Sequence, residues 1–399
     1  MMDLNTLFIF NPDHDLALAH GTNHYMSPTS ALQFSHDAQT LPIWLFSQAK
    51  VPISASFLPE KFLDLLKRCD MTSVLLSDNQ CIDDFSTIQA WGWNHNLVQQ
   101  LLKRGISAEK LPSAERLEDI RQVSHRRLTL RAADFFRNRV CHPELLPMSA
   151  SELTDMDEVE RFIADNGEVI LKMPWSGSGR GLRKIIGKMS THQKGWVAQS
   201  IRKYGCVMGE SHYTVIQDFA MEFEVNTLPN FCGYSLFSTH NGVYQENLLL
   251  SDVAIENTLC RFVSRATLKE YREILLDFLK EEVAPHYRGF VGVDMFVYQK
   301  DGVYYVNPFV EFNIRMTMGL ASRLFFNRWL REDARGCWRL RYLPTQNALF
   351  EEDKEFSLQY PLQISEGKIV SGYLSLTPIS SQTQYAVQVS VNNRTFSEK

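Results

Sequence analysis

The chain has 399 residues, of which 44% are hydrophobic and 12% aromatic, so it is long enough to bury a sizeable core in two or three structural units. Its formal net charge of -5 argues against broad binding to nucleic acids or anionic membranes. Its seven cysteines form no CxxC pair, which argues against a zinc site or a disulfide framework and favours a reducing compartment. With no signal peptide and no run of about 18 apolar residues, we predict a cytoplasmic protein with small-molecule partners.

Residues 1–112 are predicted to form a small α/β domain. Short apolar runs at 7–10, 44–46 and 72–76 are typical of buried strands, and residues 58–66 and 96–103 carry apolar side chains at helical spacing. The polar run at residues 11–15, NPDHD, follows the first strand, where open α/β sheets often bind ligands. We hypothesise that this run lines a substrate pocket; a turn that caps the next helix explains it equally well.

The remaining chain is predicted to contain an α+β domain at 113–335 and a β-rich extension at 336–399. One or two helices are compatible with residues 114–139, and a further helix is predicted at 157–164. Strand 169–171 is followed by strand 213–219, a β-rich stretch at 222–249 and a helix at 267–283. Strands 290–298 and 303–313 are predicted to pair through a turn at Lys300-Asp301-Gly302.

The first chemical signal is a lysine at the end of a predicted buried strand. Lys172 directly precedes the loop 173–181, MPWSGSGRG, whose glycines allow backbone amides to approach phosphate oxygens. The loop is neither a Walker A motif nor a GxGxxG fingerprint. A Gly/Ser hairpin beside an exposed lysine is the alternative. A lysine in an apolar strand, however, needs an anionic partner, which favours a phosphate-binding loop.

The second signal is a set of oxygen ligands on the predicted strand pair. Alternation places Glu311, Asn313 and Arg315 on one sheet face. If the two strands pair as predicted, Asp294 lies beside Glu311 and Asn313. Acids that converge within apolar strands repel one another unless a cation or a hydrogen-bond network intervenes, so a magnesium site is favoured over an ordinary solvated strand face.

The order of these signals resembles the ATP-grasp superfamily over roughly residues 113–325. The signals are the strand lysine with its Gly/Ser loop, a strand at 214–220 interpreted as running into a polar hinge, Glu224, Asp294, and the ExNxR motif that begins at Glu311. The resemblance implies two α+β subdomains that clasp ATP, preceded by a Rossmann-like α/β domain and followed by the β-rich C-terminal extension.

The resemblance also implies roles for individual residues. The residues implied to bind ATP are Arg126, Lys172, Ser176, Gly177, Ser178, Gly179, Gly181, Gln217, Asp218, Phe219, Ala220 and Glu224. Among them, Phe219 and Ala220 read the adenine edge through their backbone, and Glu224 holds the ribose. Asp294, Glu311 and Asn313 are implied to bind Mg²⁺ or Mn²⁺, while Lys172 and Arg315 are the catalytic cations. Arg126 replaces the usual first ATP-binding lysine, with His125 as the rival.

The implied reaction is that of an ADP-forming ligase. A substrate carboxylate attacks the γ-phosphate of ATP, and an amine or thiol captures the resulting acyl-phosphate. The partners are therefore ATP, a small-molecule carboxylate and an amine, with a homodimer as a further expectation. A kinase of a small molecule or protein is the second interpretation. The third is a nucleotide-binding sensor or scaffold without turnover.

Overall fold

The computed structural model describes residues 5–77, 80–177, 181–240 and 243–392 of the chain. They form two compact units. The first unit comprises residues up to 117, residues 245–255 and residues from 315 onward, and the second comprises residues 118–244 and 256–314. None of the helices in these described residues combines the length and apolar character needed to cross a membrane.

The elements of the described chain are as follows. The strands are β1 (Thr6–Ile9), β2 (Val51–Ser54), β3 (Leu75–Leu76), β4 (Thr87–Ala90), β5 (Ser151–Leu153), β6 (Glu168–Lys172), β7 (Leu182–Ile186), β8 (Val207–Ser211), β9 (Thr214–Val225), β10 (Pro229–His240), β11 (Val243–Leu249), β12 (Gly289–Lys300), β13 (Val303–Asn313), β14 (Gly336–Tyr342), β15 (Gln363–Ser365), β16 (Lys368–Ser375) and β17 (Tyr385–Val391). The helices are α1 (His14–His20), α2 (Thr29–Asp37), α3 (Glu60–Arg68), α4 (His95–Lys103), α5 (Ala114–Val123), α6 (Leu128–Arg137), α7 (Met156–Asn166), α8 (Thr191–Tyr204), α9 (Asp252–Leu259), α10 (Arg265–Phe278), α11 (Met318–Trp329) and α12 (Ala348–Gln359).

The first unit contains the predicted small α/β layer. Strand β1 pairs in parallel with β4, and a parallel bridge between Leu7 and Lys50 places it beside the parallel pair β2 and β3. The strand predicted at residues 44–46 is wrong, and the strand predicted at residues 72–76 is shorter than expected. Leu41–Trp44 is a buried 3₁₀ helix with a proline in its first turn, and Thr72–Val74 is also 3₁₀, so that only Leu75–Leu76 is extended. Short buried apolar runs do not distinguish a strand from a tight helix.

The C-terminal part of the first unit is a five-stranded antiparallel segment in the order β11, β14, β17, β16, β15. Helix α12 interrupts the stretch that was predicted to be β-rich. Its apolar side chains are spread around the helix, because Leu349 is buried while Phe350 is 41% and Leu358 75% exposed. The sequence therefore lacks the apolar stripe that identifies an amphipathic helix.

The second unit contains two antiparallel sheets. The order of the four-stranded sheet is β5, β8, β6, β7, and α7 and α8 bury its apolar face around Val159, Val169, Leu171 and Val197. Helix α8 is bounded by a capping box at Ser190 and a left-handed glycine at its C-terminus. The other sheet has the order β13, β12, β9, β10.

The predicted pairing of the last two strands of this unit is confirmed. Strands β12 and β13 are antiparallel and are joined by a turn at Asp301 and Gly302, which have φ angles of 51° and 78°. An Asp-Gly pair with positive φ at both positions has the geometry of a type I′ hairpin turn. The turn sets the register from Lys300 to Phe296, and a register shift between Phe296 and Asp294 then brings Asp294 opposite Glu311.

Candidate active site

Lys172 ends strand β6 and is buried, with 5% of its surface exposed. Its Nζ lies 2.5 Å from Oε2 of Glu210 on the adjacent strand β8. In the register of the two strands, Lys172 faces Met208 and Glu210 faces Ile170, so the ion pair is a diagonal contact on one sheet face. We expected an anionic partner for a lysine in an apolar strand, and in the structure this partner is Glu210 of the same chain.

The Gly/Ser loop after Lys172 is tied down at its base. The backbone N–H of Met173 donates to the carbonyl of Gly181 over 2.8 Å. The indole N–H of Trp175 donates to the carbonyl of Arg121 over 2.9 Å, and the Arg121 guanidinium lies 3.9 Å from the centre of the Trp175 ring. Ser176 and Gly177 are described, whereas Ser178 and Gly179 lie outside the described residues. The described ends of the loop are therefore held by side chains as well as by the hairpin.

Arg126 connects this loop to the predicted metal ligands. Its Nε donates to the carbonyl of Met173 over 3.0 Å, and its Nη2 donates to the carbonyl and hydroxyl of Ser176. The same Nη2 lies 2.7 Å from Oε1 of Glu311. Arg126 is 6% exposed, and its Nη1 is buried with no hydrogen-bond partner among the described residues. A buried guanidinium nitrogen of this kind is a ready donor for an oxyanion.

His125, the rival for the role of Arg126, has other contacts. Its Nδ1 accepts a hydrogen bond from the backbone N–H of Arg127, and its ring packs edge-on against Trp175 at 4.5 Å. Its Nε2 lies 3.9 Å from Sγ of Cys206. Burial lowers the pKa of His125 to about 4, so the ring is neutral at pH 7. Both residues therefore contact the loop, and it is Arg126 that also pairs with Glu311.

His125, Glu152 and Cys206 place their ligand atoms within 4.8 Å of one another, as a metal site does. Three observations argue against that role. Because Nδ1 of the neutral His125 ring accepts a backbone hydrogen bond, its Nε2 carries the proton and faces Cys206 as a donor. Both carboxylate oxygens of Glu152 accept hydrogen bonds from Arg127, and burial raises the pKa of Cys206 to about 12. Contacts within the chain therefore account for all three side chains without a metal ion.

The predicted metal ligands share one face of the β13, β12, β9, β10 sheet. Asp294 on β12 lies directly opposite Glu311 on β13, and Asn313 lies opposite Gly292 in the next row. Directly opposed residues have Cβ atoms about 4.5–5.5 Å apart, close enough for their oxygens to share one cation. All three side chains are half-buried. The strand register thus assembles the oxygen set that the spacing predicted.

A further acid on this face was missed by the sequence interpretation. Glu222 on β9 lies opposite Gly292 on β12, in the row that contains Asn313, and it is 1% exposed. Its Oε1 accepts a hydrogen bond of 3.0 Å from the hydroxyl of Ser235. The sequence feature that could have identified Glu222 is the alternation of Glu222 and Glu224 with apolar residues, which places both acids on one face of the strand. Glu224 lies on the same face, one row beyond Glu222 and opposite Phe290.

The hinge predicted at Gln217 to Ala220 is wrong. These residues lie inside the continuous strand β9, and Asp218, Phe219 and Ala220 pair with β10 on one side and β12 on the other. Phe219 and Ala220 are 0% and 1% exposed. The backbone groups of a strand with neighbours on both sides are used by its two ladders, so these residues have none left to read a base.

The chain leaves the sheet earlier, between β8 and β9, at His212 and Tyr213. Glu210 and Tyr213 line a small pocket together with Thr129, Met148, Ala150, Asn307 and Phe309. The Tyr213 hydroxyl accepts a hydrogen bond from the backbone N–H of Met148 over 3.0 Å. One of the residues that line this pocket, Glu210, is also the ion-pair partner of Lys172. Tyr213, in the strand break, thus lines a concave surface together with Glu210, the ion-pair partner of Lys172.

Arg315, the last predicted site residue, belongs to the first unit. Its Nε and Nη2 lie 2.6 and 2.7 Å from the two carboxylate oxygens of Asp15, and its Nη1 donates to the carbonyl of Met316. Asp15 is part of the NPDHD run. His14 of that run is 1% exposed and packs against Gly92, so its own side chain is not open to solvent, whereas Pro12, Asp13 and Asp15 are half-buried.

Solved structures with the same architecture span almost the whole chain. N5-carboxyaminoimidazole synthetase from Staphylococcus aureus, complexed with ADP, shares 13% identity over 97% of this chain and 93% of that chain, with a TM-score of 0.51. An ADP complex of N5-carboxyaminoimidazole ribonucleotide synthetase shares 13% identity over 98% and 93% of the two chains, with a TM-score of 0.50.

The chain has an ATP-grasp fold. The biotin carboxylase domain of Hydrogenobacter thermophilus 2-oxoglutarate carboxylase, in complex with MgADP, ADP and bicarbonate, has it too, at 11% identity over 97% of this chain and 86% of that chain, with a TM-score of 0.50. The sequence matches no protein-family model and no curated protein. The likeness therefore establishes the ATP-grasp architecture, and the roles of individual residues rest on their own contacts.

Proposed function

We propose that the protein is an ATP-dependent, ADP-forming ligase that activates a substrate carboxylate as an acyl-phosphate and joins it to an amine or thiol. The observation that carries the proposal is the contact network of Arg126, which joins the loop after Lys172 to Glu311. The network unites a glycine loop, two buried cations and a cluster of oxygen ligands, the set that phosphoryl transfer requires. The ADP complexes of the fold neighbours support the same assignment.

The oxygen set on the sheet face fits Mg²⁺ or Mn²⁺. Asp294, Glu311 and Asn313 offer carboxylate and amide oxygens, and neither nitrogen nor sulfur ligands occur among the three. Hard divalent cations prefer oxygen ligands and leave further positions for phosphate oxygens and water. When bound, the ion neutralises charge on the transferred phosphate.

We place the adenine base at the break between β8 and β9 rather than at Gln217 to Ala220. The chain leaves strand β8 after Ser211, and the side chains of Glu210 and Tyr213 line the pocket with Phe309 and Met148. An apolar wall beside backbone groups that have left a ladder suits a planar base with hydrogen-bonding edges. Glu224 remains the predicted ribose ligand.

In this mechanism the protein residues position groups and neutralise charge. Lys172 exchanges Glu210 for phosphate oxygens, and the buried Nη1 of Arg126 meets the same triphosphate. Arg315 faces the terminal phosphate as the substrate carboxylate attacks it and ADP leaves. The amine then displaces phosphate from the acyl-phosphate. No nucleophile of the protein takes part in this sequence, and the loop excludes water from the intermediate.

The reaction is assigned to the cytoplasm, where ATP is abundant and thiols stay reduced. All seven cysteines are free. Bicarbonate is the first acid to test, because the biotin carboxylase domain with this fold was solved with that anion.

The deciding experiment measures ADP release with Mg-ATP across a panel of carboxylic acids, including bicarbonate, with amines and thiols as acceptors. With the active pair, Lys172→Ala and Glu311→Ala are each expected to reduce turnover at least tenfold, a loss of about 1.4 kcal/mol or more of transition-state stabilisation. The matched controls are Lys184→Ala and Glu281→Ala, which remove exposed ion pairs with Glu168 and Arg139.

The products decide between the candidate activities. A ligated product with equimolar ADP and phosphate supports the ligase, whereas a stable phosphorylated product identifies a kinase. Nucleotide binding without ADP release on any member of the panel identifies a sensor. Turnover near the wild-type level in Lys172→Ala or Glu311→Ala refutes the site itself.

A further inference from the structure

The guanidinium of Arg315 is held along one edge by a single carboxylate. Its Nε and Nη2 contact the two oxygens of Asp15 at 2.6 and 2.7 Å, with side-chain exposures of 15% and 25% for the arginine and the aspartate. The third nitrogen, Nη1, donates to the carbonyl of Met316 over 3.0 Å. Two parallel charged hydrogen bonds fix the plane of a guanidinium as well as its position.

The segment that carries Asp15 is held in place by hydrogen bonds of Asn11 and His14. Asn11, four residues earlier, donates to the carbonyl of Gly92 and accepts from its N–H, at 2.8 and 3.2 Å. His14 is buried and contacts the side-chain amide of Asn94. These contacts join the loop after β1 to the loop after β4, where the carboxyl ends of two parallel strands meet.

The segment that carries Arg315 is hydrogen-bonded to the same loop after β4. The backbone N–H of Met316 donates to the carbonyl of Trp91 over 2.8 Å, so the residue after Arg315 is bonded to the loop after β4. The side chain of Arg315 is thus held by Asp15 in the first turn of α1, and its backbone is held next to the loop after β4 through Met316. An ordinary exposed ion pair joins two flexible segments and lacks these attachments. The ion pair between Asp15 and Arg315 is held on both sides.

We propose that Asp15 is a positioning residue for Arg315, which keeps the guanidinium in the orientation that meets the terminal phosphate of ATP. This rests on the proposed function, in which Arg315 faces that phosphate. The NPDHD run then acts on the reaction through the last residue of the ExNxR motif. Its role is to preorganise a charge, and misplacing such a charge by about 1 Å is enough to weaken its action strongly.

The test compares Mg-ADP with the non-hydrolysable analogue Mg-AMPPNP by isothermal titration calorimetry, because the ratio of their affinities reports contacts with the γ-phosphate. Asp15→Asn keeps the shape of the side chain and removes its charge. It is expected to weaken AMPPNP relative to ADP about tenfold, the scale of one charged hydrogen bond. Arg315→Gln is expected to reduce the ratio at least as much.

Asp15→Glu keeps the charge and is the variant to use if Asp15→Asn does not fold. The extra methylene moves the carboxylate, so positioning predicts a reduced AMPPNP preference at an unchanged melting temperature. A merely structural tie predicts the wild-type ratio. In the double variant of Asp15→Asn with Arg315→Gln, the two effects are expected to be non-additive, with a ratio equal to that of Arg315→Gln alone.

Asp83→Asn serves as the control, because Asp83 accepts hydrogen bonds from Ser107 and Lys110 elsewhere in the first unit. It is expected to keep the wild-type ratio. If the Asp15 variants keep that ratio while Arg315→Gln loses it, or if the two effects add, the positioning role is overturned and the proposed function stands. If Arg315→Gln also keeps the ratio, Arg315 does not meet the phosphate. Failure of the wild-type protein to bind ADP refutes the proposed function itself.

Discussion

The ion pair between Arg126 and Glu311 predicts that metal and nucleotide binding are coupled. Glu311 is a proposed ligand of Mg²⁺, but one of its oxygens lies 2.7 Å from the guanidinium of Arg126. A cation that binds alone must displace this arginine or share an oxygen with it. A nucleotide gives the arginine a new partner and releases Glu311 for the metal. We therefore expect Arg126→Met to bind Mn²⁺ more tightly than the wild-type protein when no nucleotide is present.

The structure sets the size of this effect. A hydrogen bond to a charged group contributes about 1.5–3 kcal/mol, and each 1.4 kcal/mol changes a dissociation constant tenfold, which gives about 10- to 150-fold. The Glu311 side chain is 24% exposed, so water screens part of the attraction. We expect a value near the lower limit, about tenfold tighter for Mn²⁺ alone. Binding of ADP should weaken in the same variant, because the buried Nη1 is lost with the side chain.

The assay is a titration of free Mn²⁺ followed by electron paramagnetic resonance, with ADP binding measured separately by calorimetry. The control is Arg127→Met, which makes the same change of charge one residue away and breaks an ion pair with Glu152 instead. A thermal melt of each variant confirms that it is folded. If Arg126→Met binds Mn²⁺ no more tightly than the wild-type protein and the control, Glu311 and Arg126 do not compete in the way the ion pair implies.

Two further predictions concern the loop and acid stability. A Cβ at Gly181 would lie 2.3 Å from the Oγ of Ser176, a hydrogen-bond partner of Arg126, so Gly181→Ala is expected to raise the KM for ATP about tenfold. Steady-state kinetics checks this, with Gly195→Ala, which meets nothing within 4 Å, as the control; equal KM values in the two variants would disprove it. Burial lowers the pKa of both His14 and His125 from 6.5 to about 4, so the unfolded chain binds these protons first as the pH falls. The free energy of unfolding, measured with urea, should therefore fall between pH 6.5 and 4 by up to about 1.4 kcal/mol per pH unit for each histidine; a flat profile there contradicts the burial argument.

Local pattern was sufficient for much of the site. The Asp301-Gly302 turn and the alternation along its two strands determined the β12–β13 hairpin, and with it the shared face of Asp294, Glu311 and Asn313. A side-chain period of two operates over a few residues and needs no knowledge of the rest of the chain. For the same reason, the lysine and the glycine loop that follows it were recognisable from their adjacency.

The hinge prediction failed because local pattern does not show which strands flank a segment. Residues 214–220 are extended in either interpretation, and only the pairing of residues 218–220 with both β10 and β12 shows that their backbone groups are already used. Similarly, Glu222 is an unremarkable acid on an alternating strand until Gly292 and Ser235 are placed beside it.

The amino-acid sequence by itself determined the chemical groups of this protein: a strand lysine, a glycine loop, an oxygen triad and the ExNxR motif. Only the tertiary structure decided which charge each cation meets in the folded chain. Arg126 and Glu311 are 185 residues apart, and Arg315 and Asp15 are 300 apart. Such partners are chosen by strand order and by the packing of distant segments, because a buried charge must be compensated by whichever opposite charge the fold brings within reach.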